Sequence, residues 1–243
     1  QWMLGEPRKV SDTGYGSIRG RRAEIHHNEF VERSADGFNC CCNVCIAQNK
    51  DMFVADGYGN ARIHHFSPKG DLLNSWGDVG TGPGEFHLPH GIALDHQENV
   101  IVCDRENDRL QFFDRSGKFL AIWDDVLRPT DVVVDDEGLI YVSELWRPME
   151  AGQGSFTHGF ADRDLPGRVT IFNPEGAIVA RWGADSNARS APGNFIAPHA
   201  LALDSQGSLY VAEVSVSFGS GFNRIARDEC INHQIQKFRR VDR

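Results

Sequence analysis

The stretch that decides the fold runs His90-Gly91-Ile92-Ala93-Leu94-Asp95-His96-Gln97-Glu98-Asn99-Val100-Ile101-Val102-Cys103-Asp104. Two short apolar runs, each ending in an acid, flank a polar turn, which is the chemistry of a tight antiparallel hairpin. The pattern recurs. Strands that close on an acid are Met52 to Asp56, Val100 to Asp104, Ile140 to Glu144 and Leu209 to Glu213. A first strand begins fourteen residues before each acid, at the anchor positions Cys42, His90, Thr130 and His199. In three copies a third strand follows, at Arg62 to Phe66, Arg109 to Phe113 and Arg168 to Phe172, and a fourth ends in Trp76, Trp123 or Trp182. The repeating unit is a four-stranded antiparallel meander of roughly 40 to 50 residues, and such units stack as propeller blades. The fold class expected is all-β, a β-propeller with four recognisable blades.

The anchors are unevenly spaced because loops are inserted. Leu145 to Gly167 and Val214 to about His233 both fall between the second and third strands of a blade. In an antiparallel hairpin the start of one strand and the end of the next lie together. Anchors, acids and both long loops are therefore expected on one rim, where function on a rigid scaffold concentrates. The blades occupy 42–243. Ahead of them, residues 1–41 combine Gln1-Trp2-Met3-Leu4-Gly5, which reads as the outer strand of a preceding blade, with a polar, irregular segment. An open sheet edge is an aggregation hazard, so closure is expected from Gln234 to Phe238 on a neighbouring blade, from another subunit, or from the rest of a longer protein. The last is the preferred expectation.

Composition narrows the partners. The chain has 243 residues, 40% hydrophobic and 24% charged, with a net charge of −9, which argues against nucleic acid or an anionic membrane as the main partner. The basic cluster Arg19 to Arg22 is too short to reverse that. Apolar runs such as Val132-Val133-Val134 are strand-sized, far below the roughly 20 residues of a membrane helix. Neither a membrane span nor a charged-then-apolar leader is read in the chain, and localisation stays open. Four of the six cysteines crowd into 40–45. Cys42 and Cys45 make a CxxC without a second ligand pair, so buried thiols in a strand are expected rather than a zinc finger.

Two anchors are histidines, each after a proline: Leu88-Pro89-His90 and Ala197-Pro198-His199. Imidazoles brought to one rim from separate blades can ligate a metal, and imidazole suits zinc. Beside them the rim should carry Tyr58, Arg62, Arg105, Glu144 and Glu213. A phenol able to take a proton and a guanidinium fork for a carboxylate make a workable polar site. Arginines 62 and 109 recur through the repeat and also suit blade-to-blade bridging, whereas Tyr58 and Arg105 do not recur and point to chemistry. His64, His65, His87, His96, His158 and His233 fit packing or solvated roles; His26 and His27 have no assigned place.

Three segments carry a resemblance: Asp56-Gly57-Tyr58-Gly59-Asn60-Ala61-Arg62, Leu88-Pro89-His90, and Val102-Cys103-Asp104-Arg105-Glu106-Asn107-Asp108-Arg109. Over roughly residues 43–213 the chain resembles NHL-repeat propellers, and within them peptidylamidoglycolate lyase and its bacterial relatives. The resemblance implies a six-bladed propeller with a central zinc on three histidines, of which His90 and His199 match two and nothing here matches the third. It implies Tyr58 as general base and Arg105 as an active-site arginine, and Arg62 on the rim is kept beside them as a catalytic candidate. The reaction it implies cleaves a peptidyl-α-hydroxyglycine into a peptide amide and glyoxylate. Ala197 stands where the family has methionine and Ala200 where it has an acidic calcium ligand, which argues against calcium and favours a different substrate, a small molecule or a peptide-like one. Two further readings stand beside the lyase: a non-catalytic NHL module offering its rim to a protein partner, and a metal-dependent hydrolase of the lactonase type with Glu144 or Glu213 as a ligand.

Overall fold

The computed structural model describes residues 37–147, 164–183, 188–220 and 225–241. The described part is all-β apart from short helical turns. Blade one is β1 (Asn43–Ile46), β2 (Met52–Asp56), β3 (Arg62–Phe66) and β4 (Leu72–Trp76), hydrogen-bonded in that order. A two-residue parallel pair, β5 (Asp78–Val79) with β6 (Glu85–Phe86), leads into the next blade. Blade two is β7 (Pro89–Leu94), β8 (Val100–Asp104), β9 (Arg109–Phe113) and β10 (Phe119–Trp123). Blade three follows as β11 (Pro129–Val134), β12 (Ile140–Glu144), β13 (Arg168–Phe172) and β14 (Ile178–Gly183). The fourth sheet has three strands, β15 (Pro198–Leu203), β16 (Leu209–Glu213) and β17 (Ile235–Phe238), and a short helix, α1 (Arg227–Ile231), precedes the last. Every strand-to-strand pairing within these four sheets is antiparallel.

The meanders form because their turns are locally encoded. Asp95 Oδ1 accepts the N–H groups of Gln97 and Asn99, Asp135 those of Glu137 and Leu139, and Asp204 those of Gln206 and Ser208. Each side chain thereby caps the turn that reverses the chain, as Asp does when it hydrogen-bonds backbone two residues on. The chain divides into two compact units, one running through Asp124 with the first two blades, the other from Asp125 with the last two. Each has its own core. In the first, Phe53, Ile63, Phe86, Val100, Val102 and Phe113 pack together with no exposed surface; each such side chain contributes about 1.5–3 kcal/mol. In the second, Val169, Phe195 and Val211 are the centre, with Trp182 and Phe238 against them.

Two expectations are corrected. The segment at Gln234 to Phe238 does not complete a neighbouring blade: β17 pairs with β16 of its own blade, Val211 opposite Gln236, so the insertion after Glu213 is an ordinary second-to-third-strand loop. The cysteines at 40–45 are not uniformly buried thiols in a strand: Cys40 and Cys41 are exposed, Cys42 and Cys45 are half-buried with their thiols turned away from water, and of the four only Cys45 lies in β1. Residues 1–36, with the proposed outer strand at Gln1 to Gly5, the basic cluster and His26 and His27, lie outside the described residues. So does 148–163, with His158.

Candidate functional site

The recurrent acids are structural staples. Asp56 accepts the N–H of Asn39, Asp104 that of His87, Glu144 that of Leu127, and Glu213 those of Ile196 and Ala197. The acceptor and the donor at 39, 87, 127 or 196 are always seventeen residues apart, so each acid ties down the loop that enters its own blade. The third strand and the residues leading into it supply the other partners: His64 and Asn60 to Asp56, Arg109 and Gln111 to Asp104, Arg168 and Thr170 to Glu144, His233 and Gln236 to Glu213. Burial pushes the carboxyls of Asp104 and Glu144 upward, with Arg109 and Arg168 the leading opposing influences. Glu144 and Glu213, either of which the lactonase-type reading would make a metal ligand, both serve in holding their blades.

These staples place the anchors. In blades two to four the pairing shifts register next to the anchor, between Pro89 and Ile92, Pro129 and Asp131, and Pro198 and Ala200. A bulge re-aims a side chain that an unbroken ladder would fix, and the proline that pairs at the ladder end contributes no N–H. His90 and His199 are therefore presented by the same local device. Leu88, just before Pro89, adopts a left-handed conformation with φ 66°, and its carbonyl accepts the N–H of Arg105.

In the first unit three sequence-distant side chains meet. Tyr58 Oη lies 3.3 Å from His90 Nε2 and accepts a hydrogen bond from Arg105 Nη1 at 3.0 Å. The Tyr58 and His90 rings meet edge to face, centroids 5.7 Å apart, and the Arg105 guanidinium carbon is 5.3 Å from the phenol centroid. Arg105 also donates through Nε to Glu106 Oε1 at 2.9 Å. Burial alone would lower the Arg105 pKa, but Tyr58 and Glu106 outweigh it and hold the guanidinium above its ordinary value. The approach is close because residue 57 is glycine: a Cβ there would lie 1.9 Å from the Pro89 carbonyl oxygen and 3.0 Å from Cys42 Sγ. Cys42, the anchor of blade one, thus borders the same cluster, and burial pushes its thiol up to about 12.

Of the site residues expected from sequence, Tyr58, His90 and Arg105 come together. Arg62 is placed elsewhere: its three guanidinium nitrogens donate to Ser75 Oγ, the Gly77 carbonyl and the Ser75 carbonyl, so it braces β4. Arg109 bridges to Asp104 as a blade strut. His64 and His65 are buried and hydrogen-bonded to Ser75 and Asp51, and His233 to Asn194 and Gln236. His199 is half-exposed at the head of β15 in the second unit. Glu106 was missed; its signal was adjacency to a non-recurrent arginine in a blade position that is otherwise uncharged. As for zinc, the donors fit in kind, imidazole nitrogens at equivalent bulges. Among the described residues no three His, Cys, Asp or Glu side chains form a group able to hold an ion.

The family model described as DUF5128, 6-bladed beta-propeller, matches residues 39–158. NHL repeat-containing protein 3 of Mus musculus is 32% identical over 154 residues, covering 55% of this chain and 44% of that protein. Peptidyl-alpha-hydroxyglycine alpha-amidating lyase 1 of Drosophila melanogaster is 29% identical over 192 residues, covering 71% of this chain and 33% of that protein. The chain spans half or less of the length of these and other curated relatives it matches. Among solved structures, virginiamycin B lyase from Staphylococcus aureus superposes with a TM-score of 0.52 at 12% identity, covering 82% of this chain and 55% of that one; this likeness shows the fold. The chain is thus a β-propeller, similar in sequence to NHL repeat-containing protein 3 and to the amidating lyases.

Proposed function

We propose that the chain carries the reactive rim of a carbon–nitrogen lyase acting on an α-hydroxyglycine-like substrate, with His90 as a zinc ligand. The observation that carries this reading is the meeting of Tyr58, His90 and Arg105, from segments far apart in sequence, on one phenolic oxygen. The kinship to amidating lyases supports the reaction class. When bound, zinc would supply Lewis-acid activation of an oxygen, and the His90 imidazole would be among its ligands.

The protein's own groups account for the proton movements. Arg105 Nη1 stabilises negative charge on the Tyr58 oxygen, and in its phenolate form Tyr58 takes the proton of the substrate hydroxyl. The oxygen electron pair becomes the carbonyl of glyoxylate, the carbon–nitrogen bond breaks, and the phenol returns the proton to the departing amide nitrogen. General acid–base help of this kind contributes roughly 10²–10⁴-fold. Incubating the protein with a peptidyl-α-hydroxyglycine in the presence of zinc and measuring glyoxylate tests the proposal. Release above the uncatalysed rate is expected, reduced about 10²-fold or more by Tyr58→Phe; absence of release, or full activity in that variant, overturns it. Elemental analysis tests the metal separately: bound zinc in the wild type, lost in His90→Ala, is the expected result.

A further inference from the structure

We propose that Glu106 is the positioning residue of this site, holding the Arg105 guanidinium in the one orientation that reaches the Tyr58 oxygen. A guanidinium is planar, so fixing one N–H edge fixes the direction of the others. Glu106 Oε1 takes the Nε edge at 2.9 Å, and Nη1 is left pointing at Tyr58 Oη at 3.0 Å. Both members of the pair are buried, with side-chain exposures of 3% and 0%. Burying an ion pair costs desolvation that its attraction barely offsets, so stability alone gives little reason for one here.

The repeat supplies an internal control. After the staple acid, the other blades continue Gly57-Tyr58, Leu145-Trp146 and Val214-Ser215. Only blade two continues Arg105-Glu106, so a blade does not need the pair in order to fold. The backbone beneath it is tied to the anchor segment, with the Arg105 N–H donating to the Leu88 carbonyl and the Glu106 N–H to the His87 carbonyl. These carbonyls stand immediately ahead of Pro89 and His90. One short turn, Arg105–Asn107, therefore registers the guanidinium against the imidazole, and the Glu106 carboxylate sets its rotation. Because those tethers are backbone groups, Glu106→Gln leaves them in place.

The inference rests on the reading of Tyr58 and Arg105 as the reactive pair, and its test has two arms. With tyrosine labelled at the Cζ carbon, the chain gives four phenol resonances, and the Tyr58 signal is identified by its loss in Tyr58→Phe. Glu106→Gln is expected to move that signal toward its position in Arg105→Met, leaving the other three unchanged. In the activity arm, Glu106→Gln is expected to lower kcat by about 10- to 100-fold with little change in KM, the cost of misplacing a group rather than of losing a contact. An unmoved Tyr58 signal in a folded Glu106→Gln protein overturns the positioning role whatever the activity. Wild-type protein that releases no glyoxylate while the signal still moves upholds the positioning role and overturns the lyase reading instead. Should Glu106→Gln fail to fold, Glu106→Asp, which keeps the charge but is one methylene short of Arg105 Nε, replaces it: the Tyr58 signal is expected to move, and an unmoved signal overturns the proposal.

Discussion

Replacing Asp104 with alanine tests the staple most directly. Its carboxylate accepts from the His87 N–H at 2.7 Å, Arg109 Nε at 2.7 Å, Asn107 Nδ2 at 2.8 Å and Gln111 Nε2 at 3.0 Å. Asn107 and Gln111 keep second acceptors, the carbonyls of Gly80 and Glu85. The Arg109 Nη atoms keep the carbonyls of Thr81, Gly82 and Glu85. The principal losses are therefore the pairing of Arg109 Nε and of the His87 N–H. Leaving a buried charge without its partner costs about 3–5 kcal/mol, and the partial retention of acceptors places Asp104→Ala near 3 kcal/mol. At roughly 2–4 °C per kcal/mol for a chain of this size, the melting temperature falls by about 6–12 °C. Asp56→Ala should cost less, because Arg62, the register partner of Asp56, donates to β4 instead. Urea denaturation followed by tryptophan fluorescence measures both. Replacing Arg109 with methionine alongside Asp104→Ala removes the orphaned charge and should recover part of the loss. A cost below about 1 kcal/mol for Asp104→Ala, or no recovery in the double variant, refutes the account of these acids as staples.

Gly57→Ala forces a methyl group into the space beside the Pro89 carbonyl; a loss of about 1–3 kcal/mol and a shifted Tyr58 resonance are expected, whereas unchanged stability and spectrum would contradict the packing. A disulfide-exchange reagent at pH 8 should titrate Cys40 and Cys41 first, since both are exposed, while Cys42 and Cys45, pushed by burial up to about 12, and the buried Cys103 and Cys230 follow slowly or only in denaturant. Mass spectrometry of the labelled peptides reads the order. The Asp51 carboxyl is held below its ordinary value: burial acts the other way, but hydrogen bonds from Asn49, His65 and Arg115 prevail. Its contribution is full above the unfolded-state value of about 3.9 and disappears as pH falls through the folded-state value. Melting curves of wild type and Asp51→Asn should consequently differ at pH 6 and converge at strongly acid pH, and a constant gap would refute the assignment.

The blades were legible because their periodicity is carried by residues that do the same physical work in every copy. Met52 to Asp56, Val100 to Asp104, Ile140 to Glu144 and Leu209 to Glu213 are the second strands as read, and the third strands beginning at Arg62, Arg109 and Arg168 match residue for residue. The same regularity misled where equal positions do unequal work. Arg62 and Arg109 occupy one register, yet only Arg109 pairs with its acid, because His64 and Asn60 already occupy Asp56. The cysteine-rich segment looked like one buried strand, but β1 begins only at Asn43, so Cys40 and Cys41 fall in the exposed stretch that leads into it, which residue type alone does not reveal.

For the site, departure from the repeat was the informative quantity. Tyr58, Arg105 and Glu106 have no counterparts in the other blades, and two of them were singled out on that ground; the third is the residue that orients the second. Repetition shows what a blade needs in order to stand, so a buried charge that does not repeat needs another reason for its burial. The reason here is directional. A guanidinium clamped on its Nε edge by Glu106 has the direction of Nη1 fixed, and it is aimed at the phenol facing His90.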